Sequence, residues 1–228
     1  MVSIASRIRH LQQTLQRAET QHQRAPGSVQ ILAVSKGQPQ SKILEAIHAG
    51  LLNFGENYYQ EALPKIEALA SYPLGWHFIG PIQRNKIKGI ARHFSWVHSL
   101  GRLDVAEQLN QARPSTLPPL NVCIQLNLEN EPTKSGVQAH EIIPLARTLL
   151  TLPNLCLRGL MVIPKPSEDP NHRYQQFQQV SQMKSLLSEV LQRPLDTLSM
   201  GMSDDFVEAI RAGSTCIRIG QALFGRRE

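Results

Sequence analysis

Eight short apolar runs recur along this 228-residue chain, and segments of helical period fill the gaps between them. The runs cover residues 29–35, 51–55, 76–80, 95–99, 120–128, 156–163, 196–200 and 215–220, with starts about 27 residues apart on average. That spacing leaves room for a helical crossover after each strand, which is what parallel neighbours require. The pattern predicts an α/β fold, a single (β/α)8 TIM barrel at the short end of its usual size. An open doubly wound sheet is the alternative. Against it, no G-x-G-x-x-G follows the first strand.

The helical segments carry their own signals. Residues 41–50 place Ile43, Leu44 and Ile47 on one face, and Gly50 sits where a stop belongs. Residues 174–191 align Phe177, Val180, Leu187 and Val190, and residues 204–213 run from two acids to Gly213. Ile4, Ile8, Leu11 and Leu15 predict an extra N-terminal helix ahead of the first strand. The proline-rich pieces 114–119 and 164–170 are expected loops, the second of them over the barrel mouth. With no linker or low-complexity tract in view, residues 1–228 are expected to form one domain.

Composition narrows the function classes. Hydrophobic residues make up 41% and charged residues 18%, a globular balance that excludes a disordered chain. No apolar stretch approaches the ~18 residues of a membrane span, so no membrane partner is expected. The formal charge of +6 permits an anionic partner. The charge is spread along the chain, however, and the basic stretch 84–92 reads first as a solvated helix face. A nucleic-acid surface is the minority reading there. Cys123, Cys156 and Cys216 lie in or beside apolar runs without a C-x-x-C pair, so they read as small buried hydrophobes in a reducing compartment. The N-terminus lacks a secretory pattern, and a cytoplasmic location is expected. The eight histidines show no H-x-x-x-H, so no metal is expected.

In a (β/α)8 barrel the C-terminal strand ends share one rim, and chemistry sits there. The rim residues expected are Lys36, Glu56 and Asn57, His77 with Gly80, His98 with Ser99, and Asn127. The turn 199–203 and the Arg218–Gly220 strand end complete the set. A lysine held against apolar walls keeps more free amine, and a free amine can condense with an aldehyde. The plainer reading, a strand-end lysine reaching solvent, stays open. The loops after strands 7 and 8 are where such barrels bind phosphate. Here they offer Ser199, Met200, Gly201 and Ser203, then Gly220. Ser203 reads equally well as a helix cap. Arg218 suits either a ligand or a structural ion pair.

These residues resemble a known family. AVSK (33–36), FGENY (54–58), WHFIGPIQRNK (76–86), KSG (134–136), RGLM (158–161), LSMGMSDD (198–205) and AGSTCIRIGQALFG (212–225) are similar in content and order to the pyridoxal phosphate homeostasis protein family. The resemblance implies a barrel like the N-terminal barrel of alanine racemase. It implies pyridoxal 5′-phosphate (PLP) as cofactor, held as an internal aldimine on Lys36. By position, Ser199, Met200, Gly201, Ser203, Gly220 and Gln221 hold the phosphate, Arg218 faces the pyridine nitrogen, and Asn57 and His77 line the ring. Many members carry Thr where this chain has Gln221, so a backbone contact is expected there.

An arginine opposite the ring nitrogen disfavours its protonation and makes the ring a weaker electron sink. In alanine racemase a further domain supplies a tyrosine base, and this sequence ends at Glu228, just past the eighth strand. The expected role is therefore non-catalytic: a PLP carrier in intracellular vitamin B6 homeostasis, acting indirectly on amino-acid metabolism. Apo PLP-dependent enzymes are the expected partners, and a monomer is the expected state. The alternative is a PLP-dependent enzyme, a small amino-acid racemase or lyase, for which Tyr58 and His77 are the available second acid–base groups.

Overall fold

The computed structural model describes residues 3–129 and 135–225. All eight predicted strands are present: β1 (Gln30–Val34), β2 (Asn53–Glu56), β3 (Gly75–Phe78), β4 (Trp96–Leu100), β5 (Leu120–Leu126), β6 (Leu155–Val162), β7 (Thr197–Ser199) and β8 (Cys216–Ile219). They are parallel and pair in chain order, and β8 closes onto β1. Closure removes every sheet edge. Lys134, in the KSG motif, lies outside the described residues, as do residues 226–228.

Helices α1 (Ile4–Gln21), α2 (Gln40–His48), α3 (Tyr59–Ala68), α4 (Ile87–His93), α5 (Leu103–Ala112), α6 (Ile142–Leu149), α7 (Pro170–Val190), α8 (Phe206–Arg211) and α9 (Gln221–Phe224) lie between or beyond the strands. The α1 helix buries Ile4, Ile8, Leu11 and Leu15, the stripe its spacing predicts. Ser3 caps it by accepting from the Ser6 N–H. Most of the apolar core is the layer between strands and helices, where Ala33, Phe54, Phe78, Val97 and Ile217 meet Ile43, Ile90, Leu109 and Phe177. The basic stretch 84–92 becomes a 3-10 turn followed by α4, with Arg84 paired to Asp104 on the surface. Cys123 and Cys216 are buried as expected, whereas Cys156 is only half-buried, because it sits near the start of β6.

The register defines layers inside the ring. Val34 pairs with Gly55 and Gly55 with His77, so these three share one level. Two residues further along each chain come Lys36, Asn57 and Ile79, which share the next level towards the mouth. The interior below them is unusually polar. His98 of β4 bonds Ser199 of β7 at 2.7 Å. These strands are three apart in the ring, so the contact crosses the barrel.

Candidate functional site: a lysine cavity at the barrel mouth

A cavity of about 640 Å³ opens at the C-terminal end of the strands. Its wall includes Lys36, Gln38, Asn57, Ser203, Asp204, Arg218, Gly220 and Gln221, with Val34, Ile79, Ile163 and Met202 as its apolar part. The volume lies in the range of small-molecule sites. Six of the ten residues expected from sequence therefore meet at one cavity. Its neighbour, about 580 Å³ in volume, shares Asn57, Ile79 and Ile163 with it. Ile163 opens the proline-rich loop expected over the mouth.

The other four expected residues lie elsewhere. His77 is not in the cavity wall; it sits one layer below, and Ile79 takes the wall position on β3. Its buried ring bonds His98 at 2.9 Å and Asn53 at 3.2 Å, and stacks on Trp96. Ser199 is buried against His98 and Arg218. Met200 packs in the outer apolar core. Gly201 shapes the turn: its φ is +96°, and a methyl group there would lie 2.7 Å from Ala209 Cβ. Gly220 has no such local need, since a methyl group there meets Val34 at 3.4 Å, an ordinary contact. Ser203 does not cap α8, which begins after Asp205; its hydroxyl instead faces the Ala222 N–H at 3.4 Å.

Behind the cavity, a buried polar cluster grips the backbone on both sides of Lys36. Lys65 of α3 donates to the Ser35 carbonyl (2.9 Å), to Glu56 (2.8 Å) and to Glu61 (2.6 Å). The Ser35 hydroxyl donates to the same Glu56 oxygen at 2.6 Å, and the Gly37 N–H donates to Glu61. Burial pushes the Glu56 carboxyl above its usual range, while hydrogen bonds from Lys65 and Ser35 pull it back. The rim reading of Glu56 thus gives way to a role on the outer face of β2. Sequence reasoning missed Lys65 and Gln38. The lysine's place on α3 carried no signal of its own, and Gln38 was hidden in a loop.

Two buried oxygens in the cavity wall, Gln38 Oε1 and Asn57 Oδ1, have no partner among the described residues. Such atoms call for a hydrogen-bond donor, from water or from a bound molecule. Arg218 supplies the opposite need. Its guanidinium is buried and donates to the Ser199 carbonyl (2.5 Å), the Ser199 hydroxyl (2.9 Å) and the Val162 carbonyl (2.8 Å). Among the described residues no carboxylate pairs with it. An amine, a buried cation, a hydroxyl and a glycine turn on one wall fit an anionic aldehyde, with the Asp204 carboxylate the one opposing charge among the lining residues described.

Comparison with known proteins identifies the relatives of this chain. The model of the alanine racemase N-terminal domain matches residues 9–228. A pyridoxal phosphate homeostasis protein from Pseudomonas aeruginosa is 49% identical over 100% of this chain and 97% of its own length. Another, from Escherichia coli, is 46% identical over 100% of this chain and 98% of its own. The chain belongs to the pyridoxal phosphate homeostasis protein family. Among solved structures, PipY of Synechococcus elongatus with PLP bound superposes on this family member with a TM-score of 0.86 at 34% identity, over 98% of this chain and 100% of PipY. Alanine racemase from Corynebacterium glutamicum shares the fold, with a TM-score of 0.71 at 15% identity over 98% of this chain and 60% of the racemase.

Proposed function

We propose that this protein binds pyridoxal 5′-phosphate through Lys36 and serves PLP homeostasis rather than turnover. The observation that carries this reading is the shared cavity of Lys36, Asn57, Ser203, Arg218, Gly220 and Gln221. PLP, when bound, supplies an aldehyde that condenses with an amine and a ring that draws electrons. The protein's residues do the rest. Lys36 offers the amine, from a backbone that Lys65 and Glu61 hold in place. Ser203 and the Gly220–Gln221 backbone receive the phosphate. Ser199, Met200 and Gly201 serve by shaping the strand-7 turn. Arg218 meets the ring nitrogen and Asn57 lines the ring, while His77 acts from beneath.

Two features favour a carrier over an enzyme. The curated relatives are homeostasis proteins by name. Arg218 also brings a buried cation to the ring, which weakens the electron sink that turnover needs. We further read the protein as one domain, a monomer and cytoplasmic, exchanging PLP with apo PLP-dependent enzymes. Free cysteines suit a reducing compartment, and no described helix is long and apolar enough to cross a membrane.

The test is direct. Purified protein mixed with PLP gains a visible absorption band, and borohydride fixes one PLP to Lys36, located by peptide mass mapping. A colourless protein, or label on another lysine, overturns the reading. Steady amino-acid turnover far above that of free PLP would move the protein to the racemase or lyase class.

A further inference from the structure

Beneath the cavity, five polar side chains form one continuous line through the barrel. Arg218 Nη1 bonds Ser199 Oγ at 2.9 Å. Ser199 Oγ bonds His98 Nδ1 at 2.7 Å, His98 Nε2 bonds His77 Nδ1 at 2.9 Å, and His77 Nε2 bonds Asn53 Oδ1 at 3.2 Å. Arg218, Ser199, His98 and His77 are all buried. Trp96 stacks on His77 with an interplanar angle of 3°, and Arg158 lies over Trp96 at 5.1 Å, so the far end of the line is fixed in plane.

The ends of the line set its direction. Guanidinium only donates, so Ser199 Oγ accepts from Arg218. With the Asn53 amide turned so that its oxygen faces the ring, His77 carries its proton on Nε2. His77 Nδ1 then accepts from His98 Nε2–H, and His98 Nδ1 accepts from the Ser199 hydroxyl. Every donor points away from Arg218 and every acceptor lone pair points back towards it. Neutral rings complete this order: an imidazolium at His98 would turn a second cationic donor on Ser199 Oγ, which already accepts from the Arg218 guanidinium. Burial agrees, holding the His77 pKa down at about 3 and that of His98 well below the usual range, where His77 and Arg218 also oppose a second cation.

We propose that Ser199, His98 and His77 are positioning residues: a directed relay of dipoles that holds the Arg218 cation towards the Lys36 cavity with no carboxylate in direct contact. Asp205 attracts that cation only at longer range. A carboxylate in Ser199's place would hold the guanidinium equally well but cancel its charge. Neutral dipoles stabilise the cation and leave its charge to act on a bound ring. The relay thereby sets the charge that the ring nitrogen meets. The functional half of this proposal rests on the reading of the cavity as a PLP site.

The experiment uses the full chain. In the apoprotein at neutral pH, long-range ¹H–¹⁵N spectra should show His77 and His98 neutral, each protonated at Nε2. An imidazolium or an Nδ1–H tautomer at either residue overturns the relay, whether or not PLP binds. With PLP added, Ser199→Ala removes one charge-assisted bond and should weaken PLP binding about tenfold while shifting the visible band. His98→Leu should do the same, and His98→Asn, whose Oδ1 replaces the Nδ1 acceptor, should recover most of the wild-type band. If Ser199→Ala and His98→Leu lower thermal stability but leave affinity and band unchanged, the residues are merely structural and the proposal fails. If His98→Leu does not fold, the smaller Ser199→Ala change decides. A wild-type protein that takes up no PLP would defeat the cavity reading, while the apoprotein spectra would still judge the relay.

Discussion

Lys65 Nζ donates to the carbonyl oxygen of Ser35 at 2.9 Å, and so holds the peptide from which Lys36 extends. The same ammonium is the counter-charge of Glu56, whose side chain is fully buried. Removing it strands a carboxylate in the layer between barrel and α3. Lys65→Met should cost ~3–5 kcal/mol at neutral pH, read from urea unfolding. The gap to wild type should narrow as pH falls, because a protonated Glu56 needs no partner. A gap independent of pH would show that Glu56 is not the group responsible. Glu56→Gln in the Lys65→Met background should restore part of the loss.

Lys36→Ala should abolish borohydride-stable PLP attachment and barely alter the fold. Its side chain stands half-buried at the mouth and outside the apolar core. A stability change of ~0.5 kcal/mol or less is expected. A variant that failed to fold would contradict this placement.

Two glycines at the mouth should behave differently. A methyl group at Gly80 would lie 2.0 Å from the Asn57 carbonyl oxygen, so the Asn57 backbone must move. Gly80→Ala should therefore cost ~1–3 kcal/mol and weaken PLP binding together. At Gly220 the added methyl group meets Val34 at an ordinary 3.4 Å. Gly220→Ala should leave the unfolding curve in place and weaken PLP binding alone. Equal effects on both properties in both variants would remove Gly220 from the phosphate side of the cavity.

Acid should destabilise the barrel through its histidines. His77 has a folded pKa near 3, far below the ordinary 6.5. Between those values the unfolded chain binds a proton that the folded chain refuses. Its contribution is whole above about pH 6.5 and is lost as pH falls towards 3, at ~1.4 kcal/mol per pH unit for a fully depressed histidine. His98 acts in the same direction. The urea midpoint should fall as pH drops from about 6.5 to 5, and His98→Leu should flatten that slope. A wild-type midpoint independent of pH across this range would show that the rings titrate normally.

Period and spacing determined much of this protein. Short strand runs that alternate with helical stripes announce parallel crossover units, and eight of them close a ring because every exposed edge must be paired. Strand ends then follow, and with them the meeting of Lys36, Asn57, Arg218 and Gly220 at one mouth. His77 marks where this reasoning stops. Its distance from the mouth depends on register, and a shift of one layer exchanged it for Ile79. The bond from His98 to Ser199 spans 101 positions of sequence and three strands of the ring. Only closure and stagger of the barrel bring those atoms to 2.7 Å. Local pattern is written by near neighbours in the chain, whereas the polar line through the barrel belongs to residues whose proximity the closed sheet creates.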